Sequence, residues 1–170
     1  MHRSDSHYSI FHKLFQKLAS TSLMSWLFSF AAHRVDQVFL RLSRGRITLT
    51  TILSGLPVIV LTTTGARSGL PRRLPVAYIN DPLVPGQIGV VASNFGKPHH
   101  PAWYFNLKAN PHAIGAIKGV SLEFLAHEAY GDEYERLWSC AEEVFMGYPI
   151  YQLRAEKRRI PILVLTPEDR

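Results

Sequence analysis

The sequence predicts an α+β fold in which a small antiparallel sheet of about six strands closes into a barrel with flanking helices. Short apolar and β-branched runs follow one another without the regular strand–helix alternation that a doubly wound parallel sheet requires. Turns containing Gly and Pro separate these runs. With 170 residues, the chain is long enough for one ordinary domain and too short for two.

The predicted strands cover much of the chain after residue 46. Residues 47–53 are rich in β-branched side chains and lead into a Ser-Gly-Leu-Pro turn. Residues 58–63 form a continuous apolar run that ends in two threonines, which indicates burial on both faces or nearly so. Further strands are predicted at residues 74–79, 88–93, 113–117, 120–126 and 160–165.

Two helices are predicted among these strands. Pro101 suits the first position of a short aromatic helix that ends at the Asn-Pro pair of residues 110–111. Asp132 and Glu135 have the spacing of a capping box at the start of a longer C-terminal helix. An apolar stripe follows at helical spacing, and Gly147 ends that helix.

Residues 1–46 are predicted to form an amphipathic helical extension ahead of a barrel domain at residues 47–170. The uncharged stretch at residues 18–32 is shorter than the about 20 residues that a membrane span needs. The long amphipathic segment ahead of it argues against a signal peptide. Either these helices pack on the barrel and complete its core, or a basic amphipathic helix carrying Trp26 lies on an anionic membrane surface.

The net charge is +6, and the basic residues are concentrated in residues 1–118, whereas residues 119–170 are net acidic. This distribution predicts an anionic partner, which is a phospholipid surface, a nucleic acid or a phosphorylated small molecule. Cys140 is the only cysteine, so an intramolecular disulfide is impossible and a reducing compartment is favoured. We therefore expect a cytoplasmic protein, either free or peripheral on the inner face of the plasma membrane.

The turn from Gly65 to Arg73 is the first candidate for a functional site. Two glycines bracket Arg67, and two more arginines follow a proline. Exposed backbone N–H groups beside guanidinium groups suit a phosphate. The order of residues is neither that of a P-loop nor that of a Rossmann turn. The alternative is a surface hairpin with solvated arginines.

Three segments together carry a resemblance to a known family. They are LTTTGARSGLPR at residues 61–72, VAS at residues 91–93 and PAWYFNLKANP at residues 101–111. In this respect the chain resembles the deazaflavin-dependent nitroreductase and quinone reductase family. Members of that family are split β-barrel enzymes that use the 8-hydroxy-5-deazaflavin coenzyme F-420. The resemblance runs from about residue 57 to residue 166. Near its end, RIPILVL at residues 159–165 resembles the last strand of the family.

The resemblance implies a groove for the phosphate and polyglutamate tail of the coenzyme. Arg67 and Arg72 would hold the phosphate, and the other implied residues would allow close backbone approach, line the ring or form a supporting helix. The implied coenzyme-binding residues are Arg67, Ser68, Gly69, Arg72, Pro75, Val76, Ala92, Ser93, Asn94, Gly96, Trp103, Tyr104 and Asn106. The alternative for Trp103 and Tyr104 is that they only fill the core.

The chain departs from the family pattern at three places. Asn94 stands where a lysine is common, with Lys97 as a substitute for that charge, and Phe95 stands where a glycine is usual. Arg154 occupies the place of a tyrosine that often follows two others in the family. The expected consequences are a changed phosphate grip near Asn94 and a changed preference for the electron acceptor.

The resemblance also implies hydride transfer from the reduced coenzyme to a quinone-like or nitroaromatic acceptor. Tyr148 and Tyr151 match tyrosines that line the acceptor pocket, and Ser93 completes the predicted catalytic set. Each phenol has an alternative role as a half-buried packing residue. Metal ligation and nucleic-acid binding are not predicted, because metal-ligand spacings and a basic aromatic strand face are lacking. The competing functions are an FMN-binding oxidoreductase of the same fold and a non-catalytic carrier of coenzyme, haem or fatty acid.

Overall fold

The computed structural model of the protein describes residues 55–156 and 158–168. Within these residues, six strands alternate irregularly with one 3₁₀ turn and three helices. In chain order they are β1 (Val58–Thr64), β2 (Pro71–Asn80), β3 (Ile88–Val91), the 3₁₀ turn (Asn94–Gly96), α1 (Ala102–Ala109), β4 (His112–Ile117), β5 (Val120–Glu128), α2 (Gly131–Val144), α3 (Tyr148–Arg154) and β6 (Ile162–Pro167).

The six strands form one closed antiparallel barrel in the order β1-β2-β3-β6-β5-β4, and β4 pairs with β1 to close it. Three of the pairings join strands that follow each other directly in the chain. β6 completes the barrel by pairing with β3 on one side and β5 on the other. The predicted small antiparallel barrel with flanking helices is thus confirmed, and closure leaves no unpaired sheet edge.

The barrel interior is filled by alternate side chains of the strands and by one face of α1. Ile59 and Leu61 of β1 meet Phe124 of β5 in this core, and Trp103 and Leu107 enter it from α1. The short aromatic helix is therefore fixed against the barrel by its buried face. The interpretation of Trp103 as a side chain that fills the core agrees with this position.

A second apolar core lies on the outside of the sheet, where α2 and α3 cover strands β2, β3 and β6. It buries the outward side chains of those strands against the inner faces of the two helices. Its members include Ile79, Val91, Leu137, Ala141, Phe145, Tyr148, Tyr151, Ile162 and Val164. Because β1 contributes consecutive buried residues, the expectation that residues 58–63 are buried on both faces holds for Ile59, Val60 and Leu61.

Some predicted boundaries differ from the observed ones by two or three residues. β2 begins at Pro71 rather than at residue 74, because its pairing with β1 continues to the end of that strand. β3 ends at Val91 rather than at residue 93, because the chain turns immediately and Asn94 and Phe95 adopt positive φ angles. β6 begins at Ile162 rather than at residue 160.

The predicted capping box of α2 is wrong. The helix begins at Gly131, and Tyr130 occupies the N-cap position without a side-chain cap bond. Asp132 lies inside the first turn, where a carboxylate still stabilises the helix by interacting with its macrodipole. The spacing of Asp132 and Glu135 therefore identified the helix but misplaced its first residue.

The predicted extension at residues 1–46 and the predicted strand at residues 47–53 lie outside the described residues, so the division at residue 46 stays a prediction. Among the helices that the structure describes, none has the length and apolar character that crossing a membrane demands.

A partly buried ion pair ties the β2–β3 connection to α2. Both carboxylate oxygens of Asp81 accept hydrogen bonds from Arg136, at 3.2 Å from Nε and 2.9 Å from Nη2. The Asp81 side chain is fully buried, and its Oδ1 also accepts from the Leu83 backbone N–H at 2.8 Å. The hydrogen bond from Arg136 is the main reason that the pKa of Asp81 lies below its ordinary value.

We expect this pair to make stability depend on pH in the acid range. Because the pKa of Asp81 is lower in the folded state, its contribution is fully present above its unfolded pKa of about 3.9 and is lost as the pH falls through the folded value. At neutral pH, Asp81→Asn should lower the free energy of unfolding by roughly 1–3 kcal/mol. Urea denaturation between pH 3 and pH 7 should show a flatter pH dependence for Asp81→Asn than for wild type. Asp132→Asn, on the exposed first turn of α2, is the control, and equal slopes for all three proteins would contradict the assignment.

Candidate functional site

The β1–β2 turn is folded by its own hydrogen bonds and presents its arginines to solvent. The Gly65 and Gly69 N–H groups donate to Leu70 O at 2.9 Å and to Gly65 O at 2.8 Å. A Cβ on Gly65 would lie 2.6 Å from Ser68 Oγ and 3.1 Å from Leu70 O, so a larger residue would displace the Ser68 side chain and crowd the turn backbone. Gly69 has a φ of +66°, and nothing lies within 4 Å of the place its Cβ would occupy. The turn is therefore fixed by hydrogen bonds at its base and open at its tip.

The strand register separates the arginines that follow the turn. Arg72 pairs with Thr63, which is buried inside the barrel, whereas Arg73 pairs with Thr62 on the outer face. Neighbouring residues of a strand face opposite sides, so Arg72 lies on the interior side at the rim and Arg73 on the outside. The Arg72 Nη2 donates to Ser68 Oγ at 3.3 Å, which keeps the guanidinium beside the turn.

The same alternation separates two residues that were expected to act together. Pro75 pairs with the outward-facing Val60, whereas Val76 packs against the core inside the barrel. Their side chains therefore cannot line one ring edge from the same side.

Asn106 of α1 connects the helix to the base of this turn. Its Oδ1 accepts from the Ala66 backbone N–H at 3.0 Å, and its Nδ2 donates to Thr63 Oγ1 at 3.0 Å. The side chain is buried, with 8% of the residue exposed. Both ends of the amide are thus used to hold the turn at one position relative to α1.

We expect Asn106→Leu to loosen the turn while leaving the barrel folded. The substitution keeps the volume but leaves the Ala66 N–H and Thr63 Oγ1 without their partner, which should cost roughly 1–3 kcal/mol. Amide hydrogen exchange at Ala66 should accelerate in the same variant. Asn110→Leu is the matched control, because the Oδ1 atom of that more exposed amide accepts from the backbone N–H of its local neighbour His112. Slow exchange at Ala66 in Asn106→Leu would show that the turn holds itself.

The segment from Ala92 to His100 has an unusual backbone. Asn94, Phe95 and Gly96 have φ angles of 47°, 58° and 75° in succession. This left-handed region is easy for glycine but costs other residues of the order of 1–3 kcal/mol each. The position where a glycine is usual in the family and this chain has Phe95 is therefore one where the backbone favours glycine.

Asn94 helps to fix this backbone with its side chain. Its Nδ2 donates to the His99 carbonyl at 2.9 Å and lies 3.1 Å from His99 Nδ1. An amide that shapes the loop in this way replaces the lysine expected from the family pattern. Lys97, the expected substitute for that charge, lies three residues further on and is only partly exposed.

The same segment packs directly on α3, which carries the two predicted catalytic phenols. A Cβ on Gly96 would lie 2.8 Å from Tyr151 O and 2.8 Å from Arg154 Cβ, so the two backbones are in close contact. The Phe95 ring lies 6.1 Å from the Tyr151 ring in an edge-to-face arrangement. Ser93, which precedes the 3₁₀ turn, does not cap it with its hydroxyl.

Tyr148 and Tyr151 are both buried, at 6% and 4% exposure. Tyr148 packs against Phe145, with ring centroids 5.2 Å apart, and burial raises the pKa of its phenol far above the ordinary value. Tyr151 lies nearer the loop, and the Arg154 guanidinium carbon is 5.7 Å from its ring centroid. The structure thus brings Tyr151, rather than both phenols, against the segment expected to hold the coenzyme.

The other residues of the aromatic helix have structural partners. The Tyr104 hydroxyl and the Lys108 ammonium each donate to Glu128 Oε2 at 3.0 Å. Burial raises the pKa of Tyr104, and the hydrogen bond to Glu128 adds to that effect. The His100 ring lies 4.5 Å from the Tyr104 ring. These contacts fit the expected supporting role of the helix.

Arg158, just before β6, was not identified by the sequence analysis. Its guanidinium donates to the backbone carbonyls of Ala92, Ser93 and Lys97 and to Nδ1 of His100, at distances from 2.8 to 3.3 Å. It lies next to Arg159 in a basic segment, and that pattern is typical of solvated charge. Nothing in the sequence distinguishes the two arginines.

Comparison with known proteins agrees with this architecture. The family model described as F420H(2)-dependent quinone reductase matches residues 32–167. The F420H(2)-dependent quinone reductase of Mycobacterium tuberculosis (strain ATCC 25618 / H37Rv) is 36% identical over 115 residues, covering 65% of this chain and 73% of that protein. The solved F420-H2 dependent reductase FDR-A has a TM-score of 0.58 at 37% identity, covering 64% of this chain and 93% of its own. Another solved chain, described as a domain-swapped dimer, has a TM-score of 0.60 at 33% identity, covering 76% and 97%.

The closed barrel, its cationic turn and these relatives define a split-barrel oxidoreductase. The chain belongs to the F420H(2)-dependent quinone reductase family, where F420H(2) is reduced coenzyme F-420. The resemblance read from residues 61–72, 91–93 and 101–111 is therefore confirmed, as are the enzyme class and the deazaflavin cofactor. FMN, the alternative cofactor, has no support from these relatives.

Proposed function

We propose that the protein transfers a hydride from reduced coenzyme F-420 to a quinone, with Arg67 and Arg72 holding the anionic tail of the coenzyme. The family description and the name of the M. tuberculosis relative favour a quinone over a nitroaromatic acceptor. The deazaflavin, when bound, supplies a hydride from carbon, while the protein supplies binding, orientation and electrostatics.

The residues of the turn fit an anionic coenzyme. Residues 58–80 contain Arg67, Arg72 and Arg73 and no acidic residue, so their positive charge is not neutralised locally. Gly69 leaves the tip of the turn open, and its neighbours are exposed. Backbone N–H groups and guanidinium groups together are the donor set that phosphate groups and carboxylates require.

One observation supports a single site rather than separate features: direct contacts join the turn, α1, the loop and α3. Asn106 bonds the turn to α1, and α1 continues backwards into the loop that ends at His100. Four residues along α1 separate Asn106 from Ala102, which corresponds to about 6 Å of helix. At its other end the loop touches Tyr151 through Gly96. An anion-binding turn and a phenol-bearing helix thus flank one continuous structural unit.

Within this unit we assign one role to each part. Ala92, Ser93, Asn94 and Gly96 would form the wall that holds the ring system of the coenzyme. Tyr151 is the preferred hydrogen-bond donor to the quinone oxygen, with Tyr148 behind it and Ser93 as a second hydroxyl near the ring. Since hydride transfer to a quinone leaves an oxyanion that takes up a proton, a fixed donor stabilises the charge that develops there.

The test is equilibrium binding of oxidised coenzyme F-420 compared with FMN, followed by single-turnover oxidation of the reduced coenzyme by a short-chain water-soluble quinone. We expect selective binding of the deazaflavin and stoichiometric quinone reduction. Binding of the coenzyme without quinone reduction would indicate that the protein is a non-catalytic carrier. A preference for FMN would overturn the assignment of the cofactor.

Peripheral attachment to an anionic membrane completes the proposal, since long-chain quinones reside in lipid. Its support is the basic amphipathic pattern and Trp26 of residues 1–46. Co-sedimentation with anionic but not zwitterionic vesicles, reversed by salt, is the expected result, and no co-sedimentation would favour packing of the extension on the barrel.

A further inference from the structure

Arg158 uses its whole hydrogen-bonding capacity on one loop. A guanidinium has five N–H donors in a fixed fork, and Arg158 makes five contacts. Nε donates to Lys97 O at 3.1 Å, and Nη2 donates to Lys97 O at 2.9 Å and Ser93 O at 2.8 Å. Nη1 donates to Ala92 O at 3.3 Å and lies 3.0 Å from His100 Nδ1. Every acceptor lies between residues 92 and 100.

The chemical nature of the acceptors determines whether the charge of Arg158 is neutralised and which tautomer His100 adopts. The five contacts go to four acceptor atoms, and none of these atoms belongs to a carboxylate, so the contacts do not neutralise the positive charge of Arg158. Because a guanidinium only donates, His100 Nδ1 must be the acceptor, and its proton is on Nε2 when the ring is neutral. Burial, followed by the charge of Arg158, lowers the pKa of His100, which favours this neutral form.

The loop needs such support because its backbone is strained. Asn94 and Phe95 hold left-handed conformations that cost free energy, and such conformations persist only where the surroundings determine them. Arg158 bonds carbonyls on both sides of this strained turn, at Ser93 before it and Lys97 after it. The hydrogen bonds of the Arg158 guanidinium can therefore all form in only one conformation of the loop.

We propose that Arg158 is a positioning residue that preorganises the 92–100 loop for the coenzyme while contributing a positive charge that none of its own hydrogen-bond acceptors neutralises. This inference rests on the proposed function, because it takes the loop to be the coenzyme wall. It assigns Arg158 no contact with the coenzyme or the quinone. Its effect is that the loop is already in its binding shape before the coenzyme arrives.

The expected change in coenzyme affinity follows from the fraction of molecules whose loop is in its binding conformation. Suppose that, without the guanidinium hydrogen bonds of Arg158, the loop adopts its coenzyme-binding conformation about one-tenth of the time. The apparent Kd of the coenzyme then rises about tenfold. Arg158→Lys keeps the charge but lacks the planar fork, and Arg158→Gln lacks both. A positioning role therefore predicts weaker binding in both variants, whereas a purely electrostatic role predicts it only in Arg158→Gln.

The experiment combines two measurements on wild type, Arg158→Lys, Arg158→Gln and Arg159→Gln. Arg159 is the matched control, since its guanidinium stacks on the Tyr134 ring at 3.6 Å and pairs with the exposed Glu135. The first measurement is amide hydrogen exchange of residues 93–100 in the coenzyme-free protein. The second is the Kd of oxidised coenzyme F-420, together with the division of the kinetic defect between KM for the reduced coenzyme and kcat, at a temperature where all four proteins are folded.

We expect faster loop exchange and an about tenfold higher Kd in both Arg158 variants, with the defect mainly in KM, and neither change in Arg159→Gln. Unchanged Kd in both Arg158 variants, whatever their thermal stability, would overturn the inference and leave Arg158 a structural residue. A higher Kd in Arg158→Gln alone would overturn the positioning role in favour of charge. Failure of wild type to bind the coenzyme would instead refute the proposed function. That result is distinct from any difference in Kd between wild type and the Arg158 variants.

Discussion

Replacing Arg67 and Arg72 together by alanine is expected to weaken binding of oxidised coenzyme F-420 by about 100-fold. Hydrogen bonds that involve a charged group contribute about 1.5–3 kcal/mol each, and the lower figure applies to the exposed arginines of the β1–β2 turn. A loss of that size corresponds to about tenfold per arginine. The barrel should remain folded, because neither side chain belongs to its core.

The strand register provides the control for this experiment. Arg73 is adjacent in sequence and equally cationic, but it lies on the outer face of β2, paired with Thr62. Arg73→Ala should therefore leave the Kd nearly unchanged. If Arg73→Ala costs as much as Arg72→Ala, the coenzyme responds to the general positive potential of the barrel and not to a site at the rim.

Salt supplies an independent measurement of the same interaction. Exposed charges are screened strongly at an ionic strength of about 0.15 M, where the Debye length is about 8 Å. The affinity of wild type should fall as salt is added, and the double variant should show a much weaker dependence. Equal salt dependence in the two proteins would indicate that other cations hold the anionic tail.

The parts of the molecule that could be predicted from sequence are those with a local signal. Alternation and turn residues located the strands of the barrel, and the PAWYFNLKANP segment located α1 and Asn106. The sequence shows the departure at Phe95, whereas the conformational reason for it, a φ of 58°, is visible only in the structure. Each of these features is encoded within about ten residues of the chain.

The parts that could not be predicted depend on contacts between distant residues. Arg158 bonds acceptors 58 to 66 positions away, so no periodicity or motif relates them. The burial of Tyr148 and Tyr151 likewise depends on how α3 packs against the outer face of the sheet. Helical spacing placed both phenols on one face, but whether that face meets solvent, substrate or core is a property of the tertiary structure.

Replacing Tyr151 by phenylalanine is expected to lower kcat for quinone reduction by about 100-fold while leaving coenzyme affinity nearly intact. A positioned proton donor contributes about 10²–10⁴-fold to the rate of a reaction that consumes a proton. Phenylalanine preserves the ring contacts with Phe95 and Arg154, so the packing of the loop on α3 should survive. Stopped-flow oxidation of the bound reduced coenzyme separates this chemical step from binding.

Tyr148→Phe should have a smaller effect on kcat, because the Tyr148 ring packs with Phe145 and Trp138 rather than with the loop. Tyr134→Phe is the matched control for loss of a buried hydroxyl, since that phenol donates to the Ile160 carbonyl at 3.0 Å. It should lower stability and leave kcat unchanged.

The three tyrosine variants distinguish the roles that burial leaves open for Tyr151. A loss of coenzyme affinity as large as the loss of turnover would assign Tyr151 to the coenzyme site. Unchanged turnover in Tyr151→Phe would make it a packing residue, and the quinone oxygen would then need another donor, for which the Ser93 hydroxyl is the remaining proposed group. Because α3 and the loop share a backbone contact at Gly96, a catalytic Tyr151 would place proton donation and coenzyme binding on two elements that are in direct contact.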